Sequence, residues 1–226
     1  MIRPSVVFLV YQYHETVQQV GFQETDIVSI VTPITKYAKL ITKAEDIRYE
    51  LEKAFFLTQD GRPGPVLLDI PQNLQKTEID PAKLTGFDPV SHKITYDIEA
   101  IDTKIDLLIK DLKKSKRPVI LAGGGVALSK ATEKLQQIGR ILKIPIFPTW
   151  NALEAVPSDY KYYGGRVGTY GGSGRNFGLQ NSDLLIAIGS RVSGRITGGN
   201  LKTFARAAKK YVVDVDTTIL QKKLQQ

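Results

Sequence analysis

Gly61-Arg62-Pro63-Gly64-Pro65-Val66-Leu67-Leu68-Asp69-Ile70-Pro71 reads as a turn, a short buried strand and a second break. Gly61 and Pro63-Gly64 punctuate the backbone, and Pro71 stops the run. Val66 to Leu68 are apolar without alternation, the pattern of a strand covered on both faces. Such strands belong to parallel sheets, so this stretch predicts an α/β fold.

The residues upstream agree. Val6 to Val10 are a strand candidate, too short for a signal-peptide core and followed by no small-residue cleavage site. A chain that opens in such a strand is expected to lack the preceding part of its sheet. Asp26 to Val31 are apolar-rich and end near Pro33. Thr42-Lys43-Ala44-Glu45 has the form of a capping box. Ile47, Leu51, Ala54 and Phe55 follow at helical spacing, predicting a helix to about Gln59 that stops at Gly61. From Pro71 to about Tyr96 the periodicity lapses among Pro71, Pro81, Gly86 and Pro89, which is linker composition.

The pattern then restarts. Ile101, Ile105, Leu108 and Leu112 form a helical stripe, and Pro118 to Ala122 a strand. Gly123-Gly124-Gly125 turns that strand into a helix carrying Leu128, Leu135, Ile138 and Leu142. Ile144 to Phe147, Asp183 to Ile188 and Tyr211 to Val215 are further strands. Alternating strands and helices predict a parallel sheet with crossover connections.

The candidate sites fall at strand ends, where ligands bind in open parallel sheets. Gly123 to Gly125 could let backbone N–H groups approach a phosphate, or could serve a tight strand–helix turn. Gly164 to Gly174 form a glycine-dense loop bracketed by Arg166 and Arg175, either ligand-binding or a flexible connection. Arg191 and Arg195, after Gly189, have fork-shaped donors suited to phosphate, against the alternative of solvated surface arginines. Asp214 and Asp216 suit a ribose hydroxyl, or plain turn and cap chemistry. His14 and His92 are isolated, and no metal-ligand spacing is present.

Composition narrows the function classes. Cysteine is absent, which excludes a disulfide framework and a thiolate metal site and is compatible with a cytoplasmic location. No apolar run is long enough for a membrane span. The net charge of +8 is spread along the chain, and its one tight cluster, Lys113-Lys114-Ser115-Lys116-Arg117, closes a helix, so nucleic acid is not the expected partner. An anionic cofactor would use the same potential.

Taken together, these strand-end features resemble the middle domain of the acetolactate synthase family of thiamine-diphosphate enzymes. Thr149-Trp150-Asn151-Ala152-Leu153, Gly168-Thr169-Tyr170-Gly171, Asn176-Phe177 and the run Asn181 to Arg191 carry the likeness. The first part, through Gly21-Phe22-Gln23-Glu24-Thr25-Asp26-Ile27-Val28, Thr32 to Tyr37 and the opening motif, resembles the end of the family's pyrimidine-binding domain. The resemblance implies residues 1–80 as the C-terminal part of that domain, 81–96 as a linker, and 97–226 as a C-terminally truncated, Rossmann-like FAD-type middle domain. It implies flavin contacts at Arg62, Gly124, Thr149, Trp150, Gly189, Arg191, Arg195, Asp214 and Val215, and active-site-facing positions at Phe22 and Gln23. It further implies a parent carboligase that decarboxylates pyruvate and transfers the two-carbon unit to a second carbonyl. That parent would use thiamine diphosphate, Mg²⁺ and a largely structural FAD, as a homodimer or homotetramer.

Two departures bear on the acceptor. Gln72 stands where acetolactate synthases usually carry Lys, and Ser193-Gly194 where they carry two acids. The pattern looks closer to acetolactate-synthase-like proteins of surface-polysaccharide sugar pathways than to branched-chain amino acid biosynthesis, with a keto-sugar in place of a second 2-oxo acid. No segment matching the family's thiamine-activating glutamate precedes Val6, and the sequence contains no Gly-Asp-Gly, the family's diphosphate-binding signature. Carboligase activity of this chain alone is therefore expected to be negligible. Two alternatives stay open on the sequence: a non-catalytic NAD- or FAD-binding module, and a vestigial fragment that binds nothing.

Overall fold

The computed structural model describes residues 5–9, 25–92 and 95–221. Phe22, Gln23, His14 and the segment Gly21 to Glu24 lie outside them. The chain divides into two compact units, Met1–Thr95 and Tyr96–Gln226.

The first unit holds β1 (Val6–Leu9), α1 (Ile27–Val31), β2 (Tyr37–Leu40), α2 (Ile47–Gln59), β3 (Val66–Asp69) and α3 (Gln72–Gln75). Its strands form a parallel sheet in the order β1-β3-β2. β3, read from the unalternated run, is the central strand and is buried along its whole length. Val66 and Leu68 join Ile41 and Ala54 in the core, so α2 supplies the cover for one face.

The capping box at Thr42 to Glu45 does not form. Ala44–Asp46 makes a 3-10 turn instead, and α2 starts at Ile47 with no side-chain cap. The other end is well anchored. Lys36 Nζ donates to the carbonyls of Leu57 at 2.5 Å and Asp60 at 2.6 Å, closing the orphan acceptors of the last turn. Its stem lies over Gly64, where an added Cβ would meet it at 3.0 Å. Burial lowers the Lys36 pKa, and the nearby Asp60 opposes that shift. Gly61 turns the chain with φ +55°.

The stretch after β3 is less loose than its composition suggests. Phe87 is buried, with ring centroids 5.5 Å from Tyr49, 5.4 Å from Phe56 and 4.6 Å from His92. Its N–H donates to Glu52 Oε2 at 2.7 Å. One aromatic residue thus fastens this polar, proline-rich stretch to α2.

The second unit holds α4 (Ile98–Leu112), β4 (Pro118–Ala122), α5 (Gly125–Leu128), α6 (Thr132–Leu142) and β5 (Ile146–Pro148). It continues through α7 (Ser173–Gln180), β6 (Leu184–Ile188), α8 (Gly194–Thr197), β7 (Lys209–Val213) and α9 (Thr217–Leu220). Its parallel sheet runs β5-β4-β6-β7. The pleat sends Val119, Leu121, Leu185 and Ala187 to one core and Ile120, Ala122, Leu184 and Ile186 to the other. Both faces are covered, as the apolar runs predict. The α/β expectation holds in both units.

Two helical readings change. The helix after the triple glycine is broken: α5 ends, Lys130 takes φ +55°, and α6 begins at Thr132. Of its predicted stripe Leu135 is buried, whereas Leu128, Ile138 and Leu142 are exposed. On α4, Leu108 and Leu112 pack on the core, while Ile101 and Ile105 remain exposed.

Asp183 fastens the amino ends of β4 and β6. It accepts from the Ser115 hydroxyl, from Lys116 N at 2.8 Å and from Arg117 N at 3.0 Å. Burial works to raise its pKa, but these three bonds together hold it below the ordinary value. Asp111 of α4 pairs with Lys209 at 2.6 Å and accepts from Tyr211, tying the helix to β7.

Leu121 is fully buried in the sheet's central pair. Leu121→Ala is expected to lower the stability of the second unit by about 2–5 kcal/mol, read as a shift in urea midpoint at constant slope. A loss below about 1 kcal/mol would contradict the two-sided core.

Candidate functional site on the carboxyl rim of the second sheet

All four strands of the second sheet run parallel, so their carboxyl ends share one edge. Thr149 and Trp150 follow β5, Gly123 to Gly125 follow β4, Gly189 to Arg195 follow β6, and Asp214 and Val215 follow β7. The rim therefore assembles Gly124, Thr149, Trp150, Gly189, Arg191, Arg195, Asp214 and Val215. Arg62 belongs to the first unit.

Strand order explains why β4 and β6 matter most. From β4 the chain goes to β5 on one side and later returns to β6 on the other. A crevice opens at such a switch point, outside the carboxyl ends. Here the two strand-end turns fill the floor of that crevice. Gly125 N donates to Gly189 O at 3.0 Å, and Gly123 N to Ile188 O at 2.8 Å. A Cβ on Gly123 would stand 2.1 Å from Gly189 O, and one on Gly125 2.7 Å from Gly189 Cα. Gly123 and Gly125 thus serve close backbone packing, the plainer of the two sequence readings. Gly124, partly buried like Gly125, faces Asn151 and not the Gly189 backbone.

The turn after β6 is strained. Gly189 takes φ +59°, and Val192 takes φ +44°. A β-branched residue rarely adopts that conformation, at a cost of roughly 1–3 kcal/mol. Val192 is buried in the core, and its N–H reaches Ser190 Oγ at 3.3 Å. The buried valine side chain anchors the turn between the exposed Arg191 and Arg195.

The glycine-dense loop is held rather than flexible. The side-chain amide of Asn176 clamps Gly168, accepting from its N–H at 2.9 Å and donating to its carbonyl at 3.1 Å. Thr169 N and Oγ1 both donate to Arg195 O, at 2.9 Å and 3.2 Å. This links the loop to α8 at the rim. Gly168 needs φ +109° to pass within reach of that carbonyl. The stem of Arg175 lies across Gly165, where a Cβ would meet it at 2.4 Å.

What faces solvent is aromatic and cationic. Trp150 is 64% exposed and Tyr170 77% exposed, and their rings meet edge to face at 5.5 Å. Arg166, Arg175, Arg191 and Arg195 are exposed, and among the described residues none forms an ion pair with a carboxylate. Thr149 is buried, with its N–H on Ala122 O at 2.8 Å. The rim acids are engaged in turns: Asp214 Oδ1 accepts from Asp216 N at 3.0 Å, and Asp216 Oδ1 caps α9 through Thr218 N at 3.0 Å. Val215 is exposed. Sequence reasoning missed the Asn176 clamp and the Trp150–Tyr170 pair. The available signal was an Asn and a lone Trp beside glycine-rich turns.

Four parallel strands covered on both faces, with exposed aromatic and guanidinium side chains on their carboxyl rim, define a Rossmann-like α/β domain. Residues 105–226 match the family model described as thiamine pyrophosphate enzyme, central domain, and the chain belongs to that family. It is similar to the acetolactate synthase large subunit of Corynebacterium glutamicum, 40% identical over 201 residues, covering 87% of this chain and 31% of that protein. The probable acetolactate synthase large subunit of Methanocaldococcus jannaschii is 38% identical over 206 residues, covering 87% and 33%. The acetolactate synthase isozyme 2 large subunit of Escherichia coli is 34% identical over 204 residues, covering 89% and 36%. The chain spans about a third of the length of these relatives. Among the described residues no helix is long and apolar enough to cross a membrane.

The two kinds of glycine separate by experiment. Gly123→Ala is expected to cost about 1–3 kcal/mol because backbone must move. Gly174→Ala in α7, where nothing lies within 4 Å of the added Cβ, should be neutral or stabilise by about 0.5–1 kcal/mol. Equal urea midpoints for the two variants would refute the close approach of the two turns.

Proposed function

We propose that the second unit binds FAD at its carboxyl rim, as part of a thiamine-diphosphate-dependent carboligase. The observation that carries this reading is the conjunction of an exposed Trp150–Tyr170 pair with four arginines unpaired by acids among the described residues. Exposed aromatic faces favour a flat heterocycle, and Arg forks favour a diphosphate. FAD offers both. Gly124 would let the ligand approach the main chain, Thr149 and Trp150 would flank it, and Arg191 and Arg195 would meet its phosphates. Asp214 and Val215 would border the far strand end. The cofactor's part in this reading is structural.

In the whole enzyme the reaction would be decarboxylation of pyruvate and ligation of the two-carbon unit to a second 2-oxo acid or a keto-sugar. Thiamine diphosphate supplies the carbanion chemistry there. Among the described residues no group of three or more His, Cys, Asp or Glu side chains converges on a metal position. The described part of this chain thus does not itself fit the Mg²⁺–diphosphate end of that cofactor. The first unit would be the pyrimidine-binding side, with Phe22 and Gln23 facing the reaction. Assembly as a homodimer or homotetramer is part of the proposal, supported by the apolar face of α4. There Ile98, Ile101, Ile105 and Ile109 are 40–62% exposed. The reading includes a cytoplasmic location and no nucleic-acid partner.

Trp150 is the chain's one tryptophan, so its fluorescence reports on the rim. FAD is expected to quench it saturably, and NAD is not. Arg191→Ala should weaken FAD binding by roughly tenfold, the value of one charged contact of about 1–2 kcal/mol. Unsaturable quenching, or equal response to NAD, would remove the proposal's basis.

A further inference from the structure

Asp69 closes β3, the central strand of the first sheet, and is 1% exposed. In register it stands beside Leu40 of β2 and Leu9 of β1. Among the described residues its Oδ1 has no hydrogen-bond donor, and neither does the buried Oδ1 of Asn73 in α3. A buried acceptor without a donor bears its full desolvation cost. An ionised carboxylate can only accept, whereas a protonated carboxyl can also donate. The orphaned Asp69 oxygen therefore gains from a proton and loses from a negative charge.

The charges around Asp69 point the same way. Asp26, the N-cap of α1, acts on it as a like charge. On β1 no residue is charged, and on β2 Lys39 is exposed. On α2 the buried Glu50 accepts from the Tyr37 hydroxyl at 2.6 Å, and Lys53 Nζ sits 4.5 Å over the Tyr37 ring. On α3 the residues are neutral. Among the described residues no cation compensates Asp69.

We propose that Asp69 is a proton-binding site that couples the stability of the first unit to pH on the acid side of neutrality. Proton uptake there firms the carboxyl end of β3, and proton loss loosens it. Burial first, and Asp26 second, raise the Asp69 pKa from 3.8 to about 6. Because the folded value lies above the unfolded one, the stabilisation is complete below 3.8 and is lost as pH rises through about 6. Asp26, Glu52, Asp111 and Asp183 shift downward, so their contributions are lost only as pH falls below their ordinary values. A window of about pH 4.5 to 6.5 therefore separates Asp69 from these four acids.

Amide hydrogen exchange on the full chain tests this, with Leu67 and Leu68 of β3 read against Leu185 and Ile186 of β6. After correction for intrinsic rates, β3 protection should fall on the order of tenfold between about pH 4.5 and 6.5, while β6 protection stays level. Asp69→Asn, neutral and of the same size, should abolish the fall. Asp26→Asn keeps a capping side chain at an exposed position and should move the fall to lower pH; it tests the site even where Asp69→Asn does not fold. An unchanged fall in Asp69→Asn, an unmoved one in Asp26→Asn, or level β3 protection in the natural sequence would overturn the proposal. The outcome is independent of whether FAD binds the second unit.

Discussion

The second unit depends on two turns that touch through their backbones. Gly123 and Gly125, leaving β4, lie against Gly189, leaving β6, so closely that a single added carbon would occupy the space of a main-chain atom. The two central strands can therefore end level with each other, and their ladder continues past the last regular residues through Gly123 N and Gly125 N. With the crevice floor sealed in this way, a ligand would sit on the rim rather than between the strands. The glycines that look most like a phosphate loop thus shape the platform of the rim.

Those side chains owe their chemistry to how the acids are used. Asp183 is taken up by backbone N–H groups of the β4 entry, Asp111 by Lys209 and Tyr211, Asp214 by its own turn and Asp216 by the α9 cap. The arginines of the rim have no such engagement with carboxylates among the described residues. A chain of +8 net charge therefore gains a local positive field at the one edge where the loops converge. Precision comes from the Asn176 amide and the strained Val192, which fix the loop and the arginine turn against a packed core. Strain of this sort persists only where surrounding contacts over-determine the backbone.

The first unit follows the same architecture with a different internal stress. Its central strand is as well buried as any in the molecule, yet ends in a carboxyl oxygen with no donor among the described residues. A satisfied core would not carry that cost. Lys36 shows the contrast, since its ammonium finds two carbonyls and closes a helix end.

Much of the fold was legible in the sequence because burial on both faces writes itself as unbroken apolar runs. Val66 to Leu68, Val119 to Ala122 and Leu184 to Ile188 declare parallel strands without any tertiary information. The strand-end positions of the candidate residues follow from that reading, since turns after such strands must share an edge. Helix faces were less legible: Ile101 and Ile105 have the spacing of core residues, but which neighbour covers them is not a local property. The capping box at Thr42 failed because a 3-10 turn met the same need. Only the tertiary structure decided that Gly123 and Gly125 pack on Gly189, that Asn176 clamps Gly168, and that Asp69 Oδ1 is left without a donor among the described residues. Each of these depends on atoms brought together from distant parts of the chain, and local propensity carries no record of such meetings.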